Sequence, residues 1–220
     1  MTKKIELNYD YDKARTALRY WILGKGWHVA HQALELGLAH HVGERKNGNP
    51  EFSHQIFQAQ YARTLPDLIY PEKTLAVIFL HDIIEDCGVS ASHLHGMFDE
   101  DIVHAVELMS DIWADGEDKP LDLYYSTMID SPIASIAKGI DRMHNLQSMM
   151  SVFSDPKKSR YIEETREHLL PMLKKARKLY PQQEAAYQNV KHVLLTQMEL
   201  ISMMIDTNII AWDRGGFTSS

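Results

Sequence analysis

The sequence is short of cysteine, of positive charge and of long apolar runs. Cys87 is the only cysteine in 220 residues. A single thiol excludes an intrachain disulfide framework and fits a reducing compartment. Lys and Arg number 23 against 30 Asp and Glu, a formal net charge of −7. This balance argues against non-specific nucleic-acid binding, which needs a basic face, and no DNA partner is expected. The notable apolar run, Leu75 to Leu80, falls far short of the roughly 20 residues that cross a bilayer, so no membrane partner is expected either. The basic start Met1-Thr2-Lys3-Lys4 has no apolar stretch behind it. No signal peptide is expected, and the expected location is cytoplasmic.

What is present is ordinary except in one respect. Hydrophobic residues make up 45% and charged residues 24%, as in a soluble globular protein able to bury a sizeable core. Histidine, at 12 residues, is in excess. Imidazole is the commonest metal ligand and titrates near neutrality, so the excess prompts a search for a metal or acid–base site.

The periodicity is helical almost throughout. Ala14, Ala17, Leu18, Trp21 and Ile22 follow the spacing of one buried helical face. Gly24 and Gly26 end that helix, and a second runs from about Val29 to His41. Lys46-Asn-Gly-Asn-Pro50 is a loop signal. Helical reading resumes near Ser53, stops before Pro66, and returns over 71–86, with Gly88 closing it. Short helices are expected near 90–96 and 99–109, separated by an acidic loop at 115–118 from the next helix. Ser131-Pro132 and Asp155-Pro156 each read as a cap followed by a first helical residue. A final helix presents Ala186, Val190, Val193, Leu194, Met198, Ile201 and Ile205 on one face, and 213–220 reads as frayed. The expectation is an all-α protein of eight or more helices.

The strongest local feature is His81-Asp82-x-x-Glu85-Asp86. On a helix, His81 and Glu85, and Asp82 and Asp86, are neighbours four residues apart. Three acids massed after a buried apolar run repel one another without a cation, and a divalent ion is the simplest compensation. A solvated acidic helix end is the plain alternative. His54 upstream and Asp141 downstream offer further ligands, with Asn145 on the same face as Asp141. A mixed nitrogen and oxygen set suits Mn²⁺, Fe²⁺ or Zn²⁺ and, with open water positions, hydrolysis.

His54, His81-Asp82 and Asp141 together resemble the HD metal-dependent phosphohydrolase superfamily. The flanks narrow the likeness. Arg45-Lys-Asn-Gly-Asn-Pro-Glu-Phe-Ser-His54, Leu80-His-Asp-Ile-Ile-Glu-Asp86 and Lys138-Gly-Ile-Asp-Arg-Met-His-Asn145 resemble, in order and in spacing, three segments of Rel/SpoT-type alarmone hydrolases. The resemblance covers roughly residues 39–166, as an HD hydrolase core within a multi-helix HD-domain bundle. Residues 1–38 then form an N-terminal helical extension, and 167–220 form C-terminal helices packing on the core, a single domain overall.

The resemblance implies a stand-alone small alarmone hydrolase that removes the 3′-pyrophosphate of (p)ppGpp, giving GDP or GTP and pyrophosphate, usually with Mn²⁺. It implies that His54, His81, Asp82 and Asp141 hold the metal. Glu85 and Asp86 are implied to act on the attacking water, Arg45 to neutralise phosphate, and Asn145 to contact the nucleotide. Lys46, Lys138 and Arg142 are further candidates for placing positive charge on a small-molecule nucleotide. The chain departs from the family pattern at Glu51, Gln55 and Ile83, which touch the nucleotide pocket more than the metal. Related substrates therefore stay open: (p)ppApp, a pyrophosphorylated tRNA, NADPH or a nucleoside monophosphate. An antidote role against a toxic alarmone synthetase, a non-catalytic nucleotide-binding regulator and a homo-oligomer stay open too. Structural roles are expected for His144, packed within the third segment, and for Cys87 as a small buried thiol.

Overall fold

In a computed structural model, residues 10–46, 48–113 and 116–215 are described, the side chains as far as 206. The chain runs through helices α1 (Tyr11–Gly24), α2 (His28–His40), α3 (Ser53–Ala62), α4 (Pro71–Leu80), α5 (Ala91–His95) and α6 (Glu100–Met109). It continues through α7 (Leu121–Thr127), α8 (Pro132–Ser148), α9 (Asp155–Glu164), α10 (Leu170–Leu179) and α11 (Glu184–Gly215). A π-helical stretch, Thr165–Leu169, joins α9 to α10. Among the described residues only two isolated β-bridges occur, Glu44 with Pro50 and Ile112 with Asp118, and the fold is all-α. No described helix is long and apolar enough to cross a membrane.

The helices form where the sequence supplies both a face and an end. Ser131 caps α8, its hydroxyl accepting from the Ala134 amide at 3.1 Å, with Pro132 in the first turn. Gly26, at φ 70°, reverses the chain after α1. Near α9 the cap differs from expectation. Ser154, not Asp155, is the residue that precedes the helix, and the Asp155 carboxylate takes the Lys158 ammonium at 2.9 Å. The face expected of the last helix is buried at Ala186, Val190, Leu194, Met198 and Ile201. That helix continues through 213–215, so the fraying expected there is not seen; residues 216–220 lie outside the described residues, as do 1–9 and Asp115 of the acidic loop.

The short helix α4 is the centre of the packing. Every residue from Thr74 to Leu80 is buried, and α2, α3, α6 and α8 surround it. A helix apolar all round needs such a sheath. The approach of α2 to α4 is close enough that a Cβ on Gly37 would lie 2.8 Å from the Phe79 carbonyl oxygen and against the Phe52 ring. A second helix, α8, runs beneath α4 and is covered in turn by α11 and α10.

The turn after α4 departs from the sequence reading. The regular helix stops at Leu80, and 81–87 fold as consecutive hydrogen-bonded turns. The amide of Ile83 donates to Leu80 at 2.9 Å and that of Asp86 to Asp82 at 2.8 Å. Gly88, at φ 65°, then turns the chain away. The polar cluster is thus raised off the end of a buried rod rather than wound along it.

Because the Gly37 contact is with backbone, it cannot relax by a side-chain rotation. Gly37→Ala is expected to destabilise the protein by about 1–3 kcal/mol, read as a lower urea midpoint. An unchanged midpoint would show that α2 and α4 do not meet this closely.

Candidate metal centre

Three helices deliver the polar groups to one point. His54 sits in the first turn of α3, His81 directly follows α4, and Asp141 lies mid-way along α8. All three are buried. One ligand atom from each falls within 4.8 Å of the others.

The hydrogen bonds orient both imidazoles. His81 Nδ1 lies 2.9 Å from the Ile78 carbonyl oxygen, which can only accept, so Nδ1 carries the proton. Nε2 is thereby turned to the carboxylates, 3.0 Å from Asp82 Oδ2 and 3.6 Å from Asp141 Oδ1. It is buried without a well-formed hydrogen bond. His54 Nδ1 pairs with His144 Nδ1 at 2.7 Å, leaving Nε2 2.9 Å from Asp141 Oδ1. Asp82 Oδ2 closes the group at 4.0 Å from His54 Nε2, and the Gln55 amide donates to it at 3.3 Å.

Two ring nitrogens and two carboxylates therefore aim at a common point. They fit a divalent ion by donor chemistry, and the orphaned His81 Nε2 is the atom such a ligand would satisfy. The backbone carbonyl on His81 and the second imidazole on His54 are the outer contacts that fix the tautomer of metal-binding histidines.

Protonation states follow from the same packing. Burial pulls His54 down despite the Asp141 carboxylate. Burial, with His54 alongside, pushes His144 down to about 3, so it stays neutral and structural. Burial also disfavours a charged His81, but Asp82 and Asp141 outweigh it and hold the imidazole up to about 10. Asp82 is in turn held down to about 2: burial would raise it, and His81 prevails. Asp82 and Asp141 thus favour a proton on His81, alongside the Lys138 ammonium on Asp141, and a metal ion at His81 Nε2 would compete with that proton.

Asp141 is held on all sides. Lys138 Nζ donates to Oδ2 at 3.0 Å, while Asn145 Nδ2 at 2.9 Å and Gln58 Nε2 at 3.1 Å donate to Oδ1. Lys138, with His54 and His81, keeps the carboxyl well below its ordinary range although burial opposes it. Lys138 is spent on this pairing and on the Tyr124 ring, 5.3 Å away. Gln58 is absent from the sequence motifs. Its signal was its place four residues after His54, one turn along the same face of α3.

A cavity of about 280 Å³ opens beside the centre. Asp82, Asp86, Arg45, Lys46 and Asn145 line it, as do Glu51 and Gln55. Arg142, expected at the nucleotide, is not there. Its buried guanidinium bonds Glu164 and the Tyr125 hydroxyl and lies over the Tyr161 ring, tying α8 to α7 and α9. The reason is angular: residue 142 is one step, about 100°, around α8 from Asp141. Lys138 also lies outside the cavity lining. So does Glu85, whose carboxylate accepts from the Asp111 amide. Burial, with the Asp111 and Asp82 charges, raises Glu85 to about 7.

No family model matches the chain. It is 27% identical over 146 residues to the GTP pyrophosphokinase rsh of Brucella melitensis biotype 1, and as similar to that of Brucella ovis. It is 25% identical over 140 residues to a protein of Synechocystis sp. named Probable guanosine-3′,5′-bis(diphosphate) 3′-pyrophosphohydrolase. Each match covers 60% of this chain and 18% of the relative's length. The chain is a distant relative of Rel/SpoT-type proteins.

Proposed function

We propose that the chain is an HD-type, divalent-metal-dependent pyrophosphohydrolase that removes the 3′-pyrophosphate of (p)ppGpp, acting in the cytoplasm with Mn²⁺. The observation that carries this reading is the convergence of His54, His81 and Asp141, with Asp82 beside them, at the edge of a cavity that also holds Arg45, Lys46 and Asn145. The distant likeness to a protein named for that hydrolysis supports it. His54, His81, Asp82 and Asp141 are assigned to the ion. When bound, the ion supplies an acidified water and polarisation of a phosphoryl oxygen.

The remaining roles fall to the chain itself. Arg45 offers a permanently charged fork to phosphate oxygens, and Lys46 a second positive charge. Asn145 holds Asp141 and presents its amide at the cavity wall. Asp86 is the cavity-facing carboxylate that orients water. Glu85, raised to about 7, has the proton affinity of an acid–base group at neutral pH. A second reading, hydrolysis of another phosphorylated nucleotide such as (p)ppApp, is favoured by Glu51 and Gln55, which line the cavity where the family pattern carries Tyr and Pro.

Purified protein with Mn²⁺ is expected to release pyrophosphate from ppGpp. Asp82→Ala and Asp141→Asn are expected to lose both bound Mn²⁺ and turnover. Cleavage of a different nucleotide, with ppGpp untouched, would select the second reading. Glu85→Gln is expected to keep the ion and lose about 10²-fold or more in turnover; normal turnover would remove Glu85 from the chemistry.

The raised Glu85 carboxyl also has a stability consequence. The folded protein holds this proton up to about 7, the unfolded chain only to an ordinary 4.5. Stability from that proton is full below the lower value and is lost as pH rises through the upper one. Metal-free Glu85→Gln should therefore melt higher than the parent at pH 8 and equally near pH 4. Equal melting at both would show that Glu85 is not raised.

A further inference from the structure

A second group of candidate ligands lines the same cavity, and none of its three residues is among the four assigned to the first ion. His41 follows α2, Glu51 precedes α3, and Asp86 lies in the turns after α4. One ligand atom from each falls within 4.8 Å of the others. His41 is buried, its side chain 1% exposed, and its ring packs on Phe52. Among the described residues its ring nitrogens have one hydrogen-bonding neighbour, the Cys87 sulfur at 3.6 and 3.7 Å. The nearest carboxylate oxygen, Glu51 Oε1, is 3.9 Å from Nδ1, too far for a hydrogen bond.

The local backbone holds Glu51 for this role. The Gly43 amide donates to Glu51 Oε2 at 3.0 Å, and the Glu51 amide donates to the Gly43 carbonyl at 2.8 Å. A Cβ on Gly43 would lie 2.9 Å from that same carboxylate oxygen. The missing side chain is what lets the carboxylate dock, with Oε1 left turned to His41. Among the described residues no Lys or Arg forms an ion pair with Glu51 or Asp86.

The Cys87 sulfur lies 3.6 and 3.7 Å from the two ring nitrogens; by accepting the N–H of one it leaves the lone pair of the other for a cation. Asp86 is exposed on the cavity wall, where its carboxylate can reach an ion held by the buried His41 and the docked Glu51.

We infer that His41, Glu51 and Asp86 form a second divalent-cation site on the wall of the cavity that Asp82 lines. One imidazole and two carboxylates suit Mn²⁺ or Zn²⁺ and leave positions open for water or a phosphate oxygen. The cavity's charge gives the site a purpose. Among the described residues that line the cavity, Glu44, Glu51, Asp82 and Asp86 stand against two cations, Arg45 and Lys46. An ion at the first centre offsets Asp82, but Glu51 and Asp86 would still repel a phosphorylated ligand. A second ion converts that wall from repelling phosphate to binding it. This role rests on the phosphohydrolase reading of the cavity; the cation site itself does not.

The test is the stoichiometry of Mn²⁺ on the full chain at saturation without nucleotide, read by the electron paramagnetic resonance of free Mn²⁺. Two ions per chain are expected. Glu51→Gln, a conservative change in a half-buried side chain, is expected to bind one, and so is Gly43→Ala, which alters no ligand. Asp141→Asn is expected to bind one as well, and Asp141→Asn with Glu51→Gln none. One ion on the parent chain, or two retained in Glu51→Gln, overturns the inference. Two ions on a protein that leaves ppGpp intact would uphold the site and sink the alarmone reading. One ion on a protein that cleaves ppGpp would do the reverse.

Discussion

An ionised carboxylate buried in a helical core is the constraint on which the rest of the structure depends. Asp141 faces inward from the middle of α8, where an unpaired charge would cost several kcal/mol. It is retained because α3, α4 and α8 each bring it a partner: His54 and Gln58 from the first, His81 from the end of the second, Lys138 and Asn145 from its own helix. Those partners are also what sets its chemistry. Lys138 occupies one oxygen, so the other is directed at the two imidazoles, and the resulting group of nitrogen and oxygen atoms is one that could hold a divalent metal ion.

The hydrophobic framework serves this arrangement directly. The apolar rod of α4 cannot carry a polar residue until it emerges from its sheath, and it does so at His81. The chain then leaves the helical path, which lets Asp82 and Asp86 turn to the cavity while Glu85 is caught by the Asp111 amide. On the far side, α8 is anchored by Arg142, whose contacts with Glu164, Tyr125 and Tyr161 fix the helix that presents Asp141. Arg142 thus acts on the centre by position, through the backbone of α8, rather than by touching a ligand.

Much of this was legible in the sequence, and unevenly so. Periodicity and caps located the helices because burial writes a 3.6-residue pattern into any helix that packs on one side. The spacing of His54, His81-Asp82 and Asp141 pointed to groups that do converge, since short motifs on helices have few geometries available. Readings failed where a side chain's direction depends on non-local packing. Arg142 reads as a free cation until Glu164 is seen across from it. Glu85 and Asp86 read as a pair until the helix is found to stop at Leu80. Gln58 and His41 carry no motif, and only the approach of α2 and α3 to the turn after α4 reveals their neighbours. The docking of the Glu51 carboxylate on the Gly43 amide likewise has no signal in the sequence.

The central claim is that His54, His81, Asp82 and Asp141 hold a divalent ion. Anomalous X-ray diffraction at the manganese edge, from crystals grown with Mn²⁺, tests it most directly. The account predicts an anomalous peak about 2.0–2.3 Å from His54 Nε2, His81 Nε2 and an oxygen of each carboxylate, distances typical of nitrogen and oxygen ligands to such ions. Density at this point without anomalous signal, with His81 Nε2 still paired directly with the Asp82 carboxylate, would contradict it.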